Sequence, residues 1–328
     1  PPRSTLFPYT TLFRSGTVFA EKGHDVLCID NNEKKIEKLL AGKIPFYEPG
    51  LGEMVLKNVH EKRLRFSCQM KDGVDHAQVI FVAVGTPPLQ TGEADMTYIE
   101  GVAREIATQM SEYKLIVEKS TVPVRTGEQV ERTVRRYARQ DITFDVASNP
   151  EFLAEGRAIQ DALHPDRIVI GVHSRRAEQI LKELYQNFDA PLIVTDVKSA
   201  EIIKHAANSF LAMKISYINS VANICELAGA NVCEVARGIG LDKRIGPAFL
   251  SAGLGYGGSC FPKDVDAFVK ISELLGYDFS LLKQVQNVNK EQRRRFIKKI
   301  KEELWVIHDK NIARSEEHTS ELQSRQSI

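Results

Sequence analysis

The feature that most constrains this chain is a series of short apolar runs, each closed by a turn or a polar cluster. They lie at 26–29, 78–84, 115–119, 144–150, 168–171 and 192–195. Helical spans at 34–40, 96–110 and 127–139 are interleaved with them. Strands alternating with helices predict an α/β fold with a doubly wound parallel sheet of Rossmann type. Ligands of such sheets gather beyond the carboxyl ends of the strands. Those ends carry Asp30, Thr86, Thr121 and Glu151. The second half reads as helical. No Pro or Gly interrupts 198–228, which is long for a globular helix. Shorter spans follow at 231–238, 263–275 and 283–304, giving an all-helical domain after the sheet.

Composition narrows the function classes. A length of 328 residues suits about two domains. The 44 basic and 43 acidic residues leave a net charge of +1, which argues against a nucleic-acid footprint over the whole surface. No apolar stretch approaches the ~18 residues of a membrane span. The five cysteines, at 28, 68, 225, 233 and 260, are odd in number and lack C-x-x-C spacing. They predict a reduced, cytoplasmic chain with neither a zinc site nor a disulfide framework.

The two ends read differently from the rest. TLFPYTTLFRS (5–15) and RSEEHTSELQS (314–324) match translations of sequencing-library adapters. The alternatives are a signal peptide and a polar tail. The first apolar run, however, is broken by Pro8, Tyr9 and Arg14, and no small-residue cleavage site follows. Residues 1–15 and 314–328 are therefore expected to be adapter-derived. The expected organisation is a dinucleotide-binding domain over 16–196, a long connecting helix with a helical dimerisation domain over 197–304, and the start of a further nucleotide-binding domain over 305–313. Asp30 closes a short strand, where such folds use an acid to hold the adenosine ribose. That acid follows the first Gly of G-x-G-x-x-G by about 20 residues. Counting back lands within 5–15, which has no glycine. The first strand and phosphate loop are thus expected to be missing. An acid at a strand end also occurs as a plain turn residue.

GLGYGGSCFPKD (253–264) is the most informative stretch. Its glycines let backbone approach a ligand closely and supply amide donors for an anion. Cys260 follows them near a helix start, beside Lys263. A helix N-terminus and a lysine favour the thiolate, the nucleophilic form. Most lone cysteines are small buried hydrophobes instead. Asp264 lies four residues on, on the same helical face. Lys204 and Asn208 are also four apart and project together, either as an oxyanion-stabilising pair or as part of a solvated helix face. In SNPEFLAEG (148–156), Glu151 and Glu155 read as a water-activating base and a cofactor contact, or as acids complementing a helix dipole.

VGTPP (84–88), KSTVPVRTG (119–127), SNPEFLAEG, K-x-x-x-N on the long helix and RIGPAFLSAGLGYGGSCFPKD (244–264) together resemble the UDP-glucose/GDP-mannose dehydrogenase family. The wording of the last motif is nearest to its UDP-glucose branch. The resemblance covers essentially all of 16–313. It implies an NAD-dependent oxidation of UDP-glucose, in two steps, to UDP-glucuronate. Cys260 is then the nucleophile. Lys204, Asn208 and Asp264 orient water and stabilise the oxyanion, and Thr121 and Glu151 assist water and proton transfer. Asp30, Lys35, Thr86, Thr121, Glu155 and Lys263 would contact NAD. Phe152, Leu153, Lys204 and Asn208 would hold the sugar nucleotide. So would Phe249, Leu250, Ser251, Ala252 and Gly253, followed by Tyr256 and Gly257. Arg244 would reach the sugar across a homodimer interface formed through the long helix. The family's phosphate loop and its third domain, expected from near Asn311, are not found, so the chain as it stands is expected to be inactive. Arg125 stands where the family often has Gly.

Rival readings are a relative acting on GDP-mannose or a UDP-N-acetylhexosamine, a single-hydride hydroxyacid dehydrogenase that needs no thiol, and a dimeric scaffold without activity. Cys260 in GGSCFPKD weighs against the last two.

Overall fold

The computed structural model describes residues 4–6, 10–44, 48–87, 89, 93–154, 157–258 and 260–304. It forms two compact units. The first takes in the described residues of Pro1–Leu89 and Ala94–Lys204, and the second those of His205–Glu317 together with Glu93.

The first unit is built on an eight-stranded sheet. Its strands are β1 (Ser4–Leu6), β2 (Val26–Ile29), β3 (Leu64–Ser67), β4 (Val79–Val82), β5 (Lys114–Glu118), β6 (Phe144–Ser148), β7 (Ile168–Gly171) and β8 (Leu192–Thr195). Their order is β3-β2-β1-β4-β5-β6-β7-β8. The strand order reverses between β1 and β4, which is where doubly wound sheets bind ligands. Every residue of β2, β4, β5 and β7 is buried. That accounts for their near-continuous apolar sequence, because such strands are covered on both faces. The covering helices are α1 (Thr10–Glu21), α2 (Glu33–Leu40), α3 (Leu51–His60), α4 (Met70–His76), α5 (Thr97–Gln109), α6 (Thr126–Tyr137), α7 (Ala158–Leu163) and α8 (Arg175–Leu184).

Two features differ from the sequence reading. Ser4–Leu6 fills the sheet position between β2 and β4, in parallel register with both, so the unit has a first strand although residues 1–15 were set aside. A parallel ladder is made by backbone groups, and an extended tripeptide of ordinary residues can supply them. α1 likewise begins at Thr10 and buries Phe13. Second, the sheet is not wholly parallel. β7 meets β6 antiparallel, through the single pair Ser148–Gly171, while β7 and β8 run parallel to each other. The elements α3, β3, α4, α7 and α8 had not been anticipated. They are short and half exposed, and β3 alternates too briefly to register as a strand. Glu155, residues 1–3 and residues 305–328, with the expected third-domain start at 305–313, lie outside the described residues.

The helical region comprises α9 (Val197–Ala228), α10 (Val232–Gly240), α11 (Phe261–Leu274) and α12 (Ser280–Leu304). The residues of α9 up to Lys204 belong to the first unit. The second unit's core gathers Ala212, Tyr256, Val265, Val269, Leu282 and Val285. Among the described residues, no helix is long and apolar enough to cross a membrane, and no cluster could hold a metal ion.

Candidate active site

In the first unit the strand ends bring several of the expected residues together. Asp30 follows β2 and is buried. One carboxylate oxygen accepts from the Asn32 amide (2.9 Å), and the other meets Lys35 Nζ at 3.3 Å. The Asn32 side chain caps α2 through the Lys35 amide, so the turn that orients Asp30 also starts the helix. Thr86, after β4, donates its hydroxyl to the Thr121 carbonyl (3.0 Å). Ser120 does the same to Val84 (2.8 Å), so the segments after β4 and β5 are laced together.

Charge is concentrated at the end of β5. Glu118 is buried, and neither carboxyl oxygen has a hydrogen-bond partner. Burial, with a smaller push from Glu201, raises its pKa to about 8. Beside it, Lys119 is buried over the Phe81 ring and donates to Asn149 Oδ1 (3.1 Å), which also accepts from Tyr185 Oη (2.5 Å). Burial lowers the Lys119 ammonium to about 8, opposed by the Glu151 carboxylate and reinforced by Lys204. Glu151 itself has one buried oxygen, Oε2, without a hydrogen-bond partner. Phe152 offers its ring to two cations, Arg167 at 4.0 Å and Lys204 at 5.5 Å. Leu153 is half-buried beside it in sequence. Glu201, one turn before Lys204 on α9, accepts from the amides of Arg125 (2.7 Å) and Gly127 (2.9 Å) at the start of α6.

The second unit carries the remaining chemistry. Cys260 is the residue immediately before α11, close to the helix start expected from the motif, and is exposed. Its carbonyl accepts from the Asp264 amide (2.9 Å). Asp264 is buried, and Oδ2 accepts from Asn208 Nδ2 at 2.6 Å. Lys263 Nζ lies 3.2 Å from Oδ1 but off the hydrogen-bonding direction, so that oxygen is ion-paired yet accepts no hydrogen bond. Lys263 and Asp264, in the first turn after Cys260, thus form one cluster with Asn208 of α9.

The glycine loop before Cys260 is held by three amide side chains that the sequence reading missed. Asn289 Oδ1 accepts from the Tyr256 amide (2.8 Å), and its Nδ2 donates to the Tyr256 carbonyl (3.0 Å). Asn219 accepts from the Gly253 amide (2.8 Å), and Gln292 donates to the Gly253 carbonyl (2.9 Å). Gly255 has φ +115°, and a Cβ there would sit 2.2 Å from Asn289 Oδ1. No other residue fits between them. Phe249 and Tyr256 both meet the ring of Phe261 edge-on, at 6.1 and 6.3 Å. Leu250 and Tyr256 are buried, whereas Ser251, Ala252, Gly253 and Gly257 are exposed. Arg244 stands apart: it is exposed and pairs with Asp242. The three amides lie on α9 and α12. Only their pairing with loop backbone gives them a role.

Comparison with known proteins fits this arrangement. The NAD-binding domain of the UDP-glucose/GDP-mannose dehydrogenase family matches residues 13–189, and the family's central domain matches 198–291. TuaD, a UDP-glucose 6-dehydrogenase of Bacillus subtilis, is 50% identical over 286 residues, covering 87% of this chain and 62% of that protein. The UDP-glucose 6-dehydrogenase of Rhizobium meliloti is 48% identical, covering 87% of this chain and 67% of its own. A solved UDP-glucose dehydrogenase from Pyrobaculum islandicum superposes with a TM-score of 0.90 at 39% identity, over 93% of this chain and 71% of that one. The chain therefore spans less than two thirds of TuaD. Two domain matches that together cover most of its length make this chain a member of the UDP-glucose/GDP-mannose dehydrogenase family.

Proposed function

We propose that the site serves the NAD-dependent, two-step oxidation of UDP-glucose to UDP-glucuronate. The observation that carries this reading is Cys260 at the N-terminus of α11, with Asp264 one turn on and hydrogen-bonded to Asn208. A single oxidation of an alcohol needs no thiol. With a thiol, the aldehyde from the first oxidation takes up Cys260 Sγ and becomes a thiohemiacetal, which is again an alcohol and can lose a second hydride. The resulting thioester is cleaved by water, releasing the carboxylate and the free thiol. A helix N-terminus favours the attacking thiolate. Asn208 Nδ2 is a donor suited to a developing oxyanion, and Lys204 supplies a buried cation. Thr121 and Glu151 would order water and receive its proton, and the ring of Phe152, with Leu153, would flank the sugar nucleotide.

NAD, when bound, accepts the hydrides. The residues present fit it in part. Asp30, with Lys35, suits the adenosine ribose. Thr86 and Thr121 lie at the strand ends, and Lys263 and Glu155 complete the proposed contacts. The pyrophosphate end does not fit. Only residues 7–9 join β1 to α1, and none is glycine, where a G-x-G-x-x-G turn needs six residues and close backbone approach. We therefore infer that the chain as it stands forms no NADH from UDP-glucose and NAD.

A homodimer through α9 is part of the same reading. Phe210, Tyr217 and Ile224 recur every seven residues and are 57, 59 and 64% exposed. A repeat of large apolar side chains open to water along one helix stripe suits a partner helix. Arg244 would then serve the neighbouring protomer's sugar. None of the five cysteines is in a disulfide, which fits the cytoplasm.

The test is a chimera in which TuaD supplies the segments corresponding to residues 1–15 and those beyond 313. Two NADH for each UDP-glucose consumed is the expected stoichiometry. A single NADH with a carbonyl product would return the single-hydride reading.

A further inference from the structure

The loop between β5 and α6 is pinned from two sides. On one side, Lys119 donates its amide to Val82 (2.8 Å), Ser120 its hydroxyl to Val84, and Thr86 its hydroxyl to Thr121. On the other, the side chain that receives amides at the α6 start, among the described residues, is Glu201. Its two oxygens each take one N–H, from Arg125 and from Gly127. Glu201 is buried, and Gly127 comes so close to α9 that a Cβ would lie 2.6 Å from Val197 Cγ1. Arg125 has φ +75°, a left-handed conformation that strains a non-glycine residue. The carboxylate thus grips the turn at its strained residue. One turn further along α9, Lys204 rests on Phe152.

We propose that Glu201 is a positioning residue. Its carboxylate fixes the loop that carries Thr121 in register with the helix that carries Lys204. The proposal rests on the reading of Thr121 and Lys204 given above, but the latch is testable without catalysis. Each amide has its own acceptor oxygen in the carboxylate. Glutamine keeps the size and offers only one.

The experiment is site-resolved amide exchange on the 328-residue chain and on Glu201→Gln. The expected result is faster exchange by about tenfold or more at Arg125 and Gly127, spreading to residues 119–122, with Asp264 in the second unit unchanged. Faster exchange confined to Arg125 and Gly127 would overturn the proposal, because the carboxylate would then be a local cap. The double variant Glu201→Gln/Arg125→Gly supplies the control for a variant that is merely damaged. Glycine holds the left-handed turn without strain, so protection at 119–122 is expected to return. Failure to return would mean that protection at 119–122 was lost for a reason other than release of the strained turn, contrary to the proposal. In the TuaD chimera, Glu201→Gln is expected to lower kcat at least about tenfold with little change in KM for UDP-glucose. An unchanged kcat would contradict the positioning role. A parent chimera without activity would instead defeat the functional reading, with the exchange data still deciding the latch.

Discussion

At the scale of single residues, the molecule's most costly arrangement is Glu118 beside Lys119. Glu118 titrates in the fold near 8 instead of at its ordinary 4.5. The folded state therefore holds a proton that the unfolded chain gives up between those values. Stability tied to Glu118 is full below 4.5 and falls as pH rises to about 8, at about 1.4 kcal/mol for each pH unit crossed. Lys119 has the opposite sense. Its folded value near 8 lies below the ordinary 10.5, so its burial cost is full below 8 and is relieved as pH rises from 8 to 10.5. Together they set a stability minimum near pH 8. Glu118→Gln should raise the Tm at pH 8 clearly more than at pH 5, as read by thermal melts at both values. An equal rise at both would mean that Glu118 is ionised throughout. Arg125→Gly should stabilise by up to about 1 kcal/mol, the relief of left-handed strain less the entropy cost of glycine. Of these residues, only Arg125 drew notice in the sequence, as a departure from the family's glycine. Its φ supplies the reason glycine is preferred there. Glu118 was not legible, because a carboxylate ending an apolar strand reads as the first polar residue of a loop.

At the scale of elements, the loops that carry chemistry are held by side chains distant in sequence. The glycine loop 253–258 and the helix start beside Cys260 were legible, because both signals lie within one short motif. Their supports were not. Asn289 is 33 residues from Tyr256, and Asn219 is 34 from Gly253. An asparagine within a helical span carries no mark of what it will touch. Asn289→Ala removes both hydrogen bonds to the Tyr256 backbone and should cost about 1–3 kcal/mol by denaturant melting. Gly127→Ala should destabilise by a similar amount, about 1–3 kcal/mol, since its methyl group would overlap Val197 and force α6 from α9. Along α9, the Phe210, Tyr217 and Ile224 stripe yields a further expectation. Changing Tyr217 and Ile224 to Glu should turn a dimer into a monomer in analytical ultracentrifugation. A parent chain that is already monomeric would end the dimer reading.

At the scale of the whole molecule, the alternation of strand and helix conveyed the doubly wound fold, and the helical second half followed from an uninterrupted span. What composition and period did not convey was the antiparallel turn of β7 or the filling of the central sheet position by Ser4–Leu6. Both depend on backbone pairing between segments far apart, for which side-chain pattern gives no signal. The family's domains are present from residue 13 to 291, yet the link from β1 to α1 is three residues without glycine. The proposed reading pairs a thiol nucleophile at Cys260 with an NAD site in which residues 7–9 supply no glycine for the phosphate turn. Its central claim is that Cys260 carries the second oxidation. The most direct measurement is the yield of NADH per UDP-glucose in the TuaD chimera, with and without Cys260→Ser. The account predicts two NADH in the parent chimera and loss of complete turnover in the serine variant, while the unaltered 328-residue chain yields none. Full, two-NADH turnover by Cys260→Ser would contradict it.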